Sequence, residues 1–247
     1  MSVHKEHEFL LRLEQAGFNE GLAQKVVDAP NNRLAKEMVK LVLGGGLESS
    51  SAQVRAREIM GANFFGIEEA VKHFGVNPSE QQLASLANIP FSAAVLEACQ
   101  NTHLLVAVFP LSIVGIRGKV EHKLFCSHKD AWYNGKKFAK DQGEAFWQLV
   151  RKGPVPNSAS KTWDEQQALL APEEEVPAAR VMVYAIIGHY LATGERLFKN
   201  VYIRCSDLVA GYRVIVGHFY AAGLLVYYYL DGNCYGILGV ASARKFK

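Results

Sequence analysis

The side chains equipped for chemistry in this 247-residue chain are few and scattered. Four cysteines, Cys99, Cys126, Cys205 and Cys234, can act as nucleophiles or ligate a metal, but no two stand in a Cys-x-x-Cys spacing. Structural zinc sites are built on such close pairs, so no metal is expected and free thiols are the default. His218 can serve as a ligand or a base, yet no second His, Cys or carboxylate lies near it at ligand spacing. His189 sits on an apolar helix face and reads as a satisfied core histidine. The residues that draw attention are Tyr227, Tyr228 and Tyr229. Successive strand side chains point to opposite faces, so three tyrosines in a row cannot all point inward.

These side chains need a frame. Residues 5–43 predict three short helices: Phe9, Leu10 and Leu13 share a face before Gly17, Asn19 can cap the second helix, and Leu34, Met38, Leu41 and Val42 mark the third. Residues 44–51, GGGLESSS, read as a flexible break. Residues 52–74 read as helical again, and Ser79 with Gln82 can form a capping box. Residues 104–116 form an apolar run broken by Pro110, which predicts a buried strand or strand pair. Residues 132–150 predict a helix from the spacing of Phe138, Phe146, Trp147 and Val150. Thr162 with Glu165 makes a second capping box, and Pro177 opens a helix that Gly194 closes. Glu173, Glu174 and Glu175 read as a solvated loop. Beyond residue 200 no proline occurs, and short β-type runs alternate with glycine. The fold class is α+β: a helical N-terminal module over 1–85, then a strand-rich domain over 86–247.

Length allows one large domain or two smaller ones. A net charge of +3 gives no electrostatic case for nucleic acid. The N-terminal stretch lacks the apolar region of a signal peptide. The longest apolar run falls short of the roughly 20 residues of a membrane helix. A cytoplasmic protein without a membrane span is therefore expected, with no cofactor.

Within the C-terminal segment, one absence is informative. Residues 200–244 contain no Lys, Glu, Gln, Met or Trp, although those types fill about a fifth of the chain and about nine would be expected. Strand preference accounts for part of the gap but not for the missing Trp. Seven of the ten tyrosines fall between residues 202 and 235, so the segment is enriched as well as depleted.

The frame Arg204-x-Ser206-Asp207, Arg213-Val214-x-Val216-Gly217-x-Phe219, Gly223-Leu224-x-Val226, then Leu238-Gly239-Val240-Ala241-Ser242-Ala243-Arg244-Lys245-Phe246, resembles the variable proteins of diversity-generating retroelements. The segments WYNGKKFA, FWQLVRKGPVPNS, KTWDEQQALL and YAIIGHYLATGERLF are similar to the invariant part of that family. The resemblance implies a C-type lectin-like fold, related to that of formylglycine-generating enzymes. It also implies a C-terminal coding region rewritten at template adenines. A mutagenised AAY codon keeps its final pyrimidine and so never encodes Lys, Glu, Gln, Met or Trp, which is the gap seen here.

On that pattern the variable, ligand-binding positions are Tyr212, Ile215, His218, Tyr220, Leu225, Tyr227, Tyr228, Tyr229, Asn233, Cys234, Tyr235, Gly236 and Ile237, with Ala222 and Leu230 at the margin. Tyrosine suits recognition, because it offers a large amphipathic area with few torsions to freeze. The expected function is non-catalytic ligand binding, with a protein rather than a small molecule as partner and the N-terminal helices available for homo-oligomerisation. Two alternatives follow from the same residues. One is an assembly protein that uses the tyrosine face for self-association. The other is an oxidase of the formylglycine-generating type using Cys205 and Cys234, against which stands the lack of a nearby base to activate a thiol. The lectin likeness raises a sugar site at Trp132, Trp147 and Trp163, but no calcium-binding EPN or QPD motif is present and buried indoles are expected.

Overall fold

The computed structural model describes residues 3–43, 50–126 and 130–245. The chain divides into two compact units, Met1–Leu47 and Glu48–Lys247. The first holds three helices, α1 (Val3–Gln15), α2 (Glu20–Asp28) and α3 (Arg33–Leu43). Asn19 caps α2, its side-chain oxygen accepting from the Leu22 amide at 3.1 Å. Of the expected break, residues 44–49 lie outside the described residues, as does Phe246 of the C-terminal frame.

The second unit mixes helices with two sheets. In order it contains α4 (Ser51–Met60), β1 (Phe64–Phe65), α5 (Ile67–Phe74), α6 (Glu80–Leu86), α7 (Ala93–Cys99), β2 (His103–Val108), α8 (Ile113–Lys119), α9 (Lys137–Lys140) and β3 (Phe146–Arg151). Then follow α10 (Trp163–Gln167), β4 (Glu174–Glu175), α11 (Ala179–Thr193), β5 (Tyr202–Val209), β6 (Tyr212–Tyr220), β7 (Gly223–Tyr229), β8 (Leu238–Val240) and β9 (Ala243–Arg244). One sheet has the order β1-β2-β3-β9-β4 and the other β7-β6-β5-β8. Helix α11 is the axis of the core. Every residue from Ala179 to His189 is buried, and the helix touches β1 and β2 of one sheet and β5 and β6 of the other. A helix apolar on all sides has no other stable place.

The boundary expected near residue 85 falls instead at residue 47. Phe64 and Phe65 pair in parallel with Leu105 and Val106, and Ala56, Met60, Ala70, Phe74 and Leu86 join the same core as α11. The Leu86 carbonyl accepts from both Gln53 Nε2 and Trp147 Nε1 at 2.8 Å, which ties α4 and α6 to β3. The stretch 52–74, expected to be helical, is two helices around a short strand.

Residues 132–150 are not one helix. Only α9 is helical there, and Phe146–Arg151 form β3, antiparallel to β2 from Val108↔Phe146 to His103↔Arg151. A short apolar run buried on both faces has no distinctive period, so its spacing fits helix and strand alike. The neighbouring β2 decides, because its buried backbone needs a partner ladder. The run at 104–116 is strand only as far as Val108. Ser112 then caps α8, accepting from the Gly115 amide at 2.9 Å. Nor is the acidic run a free loop, since Glu174 pairs with β9 and accepts from Ser242 Oγ at 3.0 Å.

The capping boxes at Ser79 and Thr162 and the C-terminal strands stand as the sequence suggests. Among the described residues, no helix is long and apolar enough to cross a membrane.

Candidate functional site: the aromatic face of the second sheet

Sheet register sorts the C-terminal side chains into two layers. Ile203, Val216 and Val226 lie abreast, and Val214 shares their face, toward the core that contains α11. The opposite face carries three rows: Tyr202, Gly217 and Leu225; then Arg204, Ile215 and Tyr227; then Arg213 and Tyr229. Alternation along β6 therefore places Ile215 away from the main core, as the pattern implies.

The rings touch in a continuous chain that begins on this outer face and passes round the edge strand β7, because Tyr228, opposite Val214, and Tyr212 alternate to the other side. Tyr227 stacks on Tyr228 at 4.8 Å and meets Tyr229 edge-on at 6.0 Å. Tyr229 contacts Tyr235 at 5.1 Å and Tyr202 at 6.3 Å. Tyr202 stacks on His218 at 4.9 Å, and His218 meets Tyr220 at 5.3 Å. At the far end Tyr228 is held between Tyr212 at 5.1 Å and Trp132 at 4.6 Å. Offset and edge-on arrangements of this kind are the favourable ones for rings. Burial pushes the Tyr202 and Tyr229 hydroxyls above their ordinary value, and neighbouring tyrosines add to it. Both remain neutral near pH 7 and can donate or accept hydrogen bonds.

Beneath the rings lies a charged brace. Arg204 is fully buried. Its Nη1 donates to the Lys161 carbonyl at 3.1 Å and to Gln166 Oε1 at 2.8 Å. Its Nη2 donates to the carbonyls of Leu230, Asp231 and Asn233, the last at 2.6 Å. Arg213 forks onto Asp231 with bonds of 3.0 and 2.9 Å, donates to the Ser206 carbonyl, and lies 3.8 Å over the Trp163 ring. Gln166 in turn donates to the Ser158 and Leu238 carbonyls. The loop after β7 is thus pinned from below through its backbone carbonyls and the Asp231 carboxylate, which leaves side chains such as Cys234 and Tyr235 outside the brace. Arginine suits this task because its planar fork reaches several acceptors in fixed geometry.

Other frame residues have equally local reasons. Asp207 accepts from the Ala179 amide at 2.6 Å and so caps the start of α11. Burial raises its carboxyl above the usual range. Gly217 has φ +140, and a Cβ there would run into the Val201 carbonyl oxygen. It permits the bulge at which His218 adopts φ +51 and turns outward. Gly223 has φ +104 and admits the backbone of Phe125, whose carbonyl carbon would lie 2.6 Å from a Cβ.

Twelve of the thirteen assigned positions reach the surface. Tyr212, Tyr220, Tyr227, Cys234, Tyr235, Gly236 and Ile237 are exposed, and His218, Leu225, Tyr228, Tyr229 and Asn233 are half-buried. Tyr227 keeps 43 % of its surface. Ile215 is the correction. It is 0 % exposed, because it lies on the central strand between Arg204 and Tyr227 and forms the floor under the rings. Asn233 is exposed in part but already employed, since its Oδ1 accepts from the Leu230 amide at 2.9 Å and closes the turn.

Sequence reasoning missed Tyr202, which links His218 to Tyr229, and Trp132, which was expected to be an ordinary buried indole. Trp132 is half-buried, donates from Nε1 to the Val226 carbonyl at 2.8 Å, and walls the face. Trp147 and Trp163 are buried. The tyrosine count over 202–235 already contained Tyr202, but nothing local announces Trp132, which lies 94 residues from its partner.

The two cysteines proposed for an oxidase differ in setting. Cys205 is buried, and desolvation pushes its thiol well up, opposite to what a reactive thiolate needs. Cys234 is exposed in the loop. His189 is buried with Nε2 2.7 Å from Glu195. Among the described residues no group of three or more His, Cys, Asp and Glu side chains is placed to hold a metal. Two clefts of about 380 Å³ and one of about 330 Å³ open elsewhere, and none is lined by a ring of the aromatic chain. Comparison with protein-family models, with curated proteins and with solved structures finds no match for the chain.

Proposed function

We propose that this protein binds a ligand, without catalysis, through the aromatic face of its second sheet, and that retroelement-directed mutagenesis varies that face on a C-type lectin-like frame. The observation that carries the reading is the separation of roles along one segment. Exposed or half-buried tyrosines alternate with buried residues whose backbone or guanidinium contacts hold the strands and loop. The absence of Lys, Glu, Gln, Met and Trp from residues 200–244 supports the same reading, because AAY-templated codons cannot produce them.

A protein partner suits the face better than a small molecule. The rings form a broad surface rather than line a cleft, and rigid aromatics dominate the energetic centres of protein interfaces. The charged groups beneath it, Arg204, Arg213 and Asp231, already have partners, so recognition rests on ring area and hydroxyl hydrogen bonds.

Sequencing the DNA beside the coding region tests the proposal. The expected result is a near-copy of the final coding segment, with adenines in the codons for Tyr212, Tyr220, Tyr227 and Tyr229, next to a reverse transcriptase gene. Mismatches spread evenly over frame and filling, or falling at positions other than adenine, would refute it.

A further inference from the structure

Most of the exposed large apolar side chains among the described residues gather in two places, with Val54, Leu169 and Leu208 lying apart. One is the aromatic face. The other is the first unit, where Val3, Phe9, Leu10 and Leu11 of α1, Leu22 and Val27 of α2 and Val39 of α3 are exposed. The best-covered side chains there, among them Leu13, Phe18, Val26, Leu34 and Met38, are only half-buried. No described side chain of the unit is fully buried. A helical unit of about 40 residues whose described side chains form no buried core is ordinarily completed by disulfides, a metal or association. The unit contains no cysteine, and no metal-binding cluster occurs among the described residues, so association is what remains.

The charges point to the occupant. By sequence, α1 sets Glu6, Glu8 and Glu14 against Lys5 and Arg12, and α2 sets Glu20 and Asp28 against Lys25, so each is acidic on balance. Helix α3 sets Arg33, Lys36 and Lys40 against Glu37 and is basic. The three helices together are neutral. Two copies therefore do not repel, and the acidic helices of one complement the basic helix of the other. We infer that the N-terminal helices of this chain associate with those of a second copy, burying the apolar stripe that α1 and α2 leave open. The consequence is an assembly that presents more than one aromatic face, whatever those faces bind.

Sedimentation velocity on the full chain tests this. The expected species has at least twice the 27.3 kDa mass of one chain. Leu10→Glu and Val27→Glu, at exposed positions, return it to one chain without lowering the melting temperature of the main unit. Lys36→Glu removes no apolar surface and guards against a misfolded variant. It weakens assembly while circular dichroism keeps the helical signal. Tyr227→Ala leaves the assembly intact. A wild-type chain that sediments as a monomer at every concentration overturns the inference, as do charge variants that keep the assembled mass. Dissociation by Tyr227→Ala also overturns it, because the contact then lies on the aromatic face.

Discussion

The separation of frame from filling has a measurable consequence in the pair Ile215 and Tyr227, which face each other across β6 and β7. Ile215→Ala empties a site that is 0 % exposed on a central strand. Truncations of this kind cost about 2–5 kcal/mol, from lost transfer energy and the cavity left behind. Tyr227 is 43 % exposed and touches Tyr228 at 4.8 Å and Tyr229 at 6.0 Å. Ring pairs contribute about 0.5–1.5 kcal/mol each when well packed, and partial exposure lowers that, so Tyr227→Ala costs about 1 kcal/mol. For a unit of this size about 1 kcal/mol moves the melting temperature by about 2–4 °C. Calorimetry should therefore show a drop of about 2–4 °C for Tyr227→Ala and about 6–12 °C for Ile215→Ala, taking about 3 kcal/mol for the latter. Tyr235→Ala, at a similarly exposed loop position, should match Tyr227→Ala. If either tyrosine variant lost as much as Ile215→Ala, the rings would be structural and the face could not tolerate replacement.

Gly217→Ala should destabilise by at least about 2 kcal/mol, since a Cβ meets the Val201 carbonyl at a backbone angle that side chains rarely adopt; soluble yield and melting temperature report it. Burial pushes the His103 imidazole from 6.5 down to about 4. The unfolded chain therefore takes a proton that the folded protein refuses, and stability should fall as pH drops from about 6.5 to about 4. His189 is lowered by burial with the same sign, so His103→Leu should shrink that slope in a denaturation series without abolishing it. Under native conditions a thiol reagent should modify Cys126 and Cys234, which are exposed, and reach Cys99 and Cys205 only after denaturation. Rapid native reaction at all four would contradict the burial of β5.

Much of the local structure was legible without coordinates. Asn19, Ser79 and Thr162 cap helices because a short side-chain oxygen reaches an amide two or three residues on, a contact that depends on sequence distance alone. The final strands were legible for a similar reason, since glycine-punctuated β-branched runs leave little else for the backbone to do. Most of the aromatic face followed, because alternation sends Tyr227 and Tyr229 to one side.

What the chain alone did not decide are matters of company. Phe146–Arg151 is a strand because β2 lies beside it, and the run from Phe64 joins the main unit because Leu105 and Val106 offer a free edge. Ile215 occupies a position that alternation assigns to the outer face, yet Arg204 and Tyr227 close over it from neighbouring strands. The brace of Arg204, Arg213 and Asp231 could not be read from spacing, since Arg213 lies 18 residues from Asp231 and Arg204 lies 43 from Lys161. Propensity and periodicity act over a few residues, whereas burial is set by whichever distant segments the fold brings alongside.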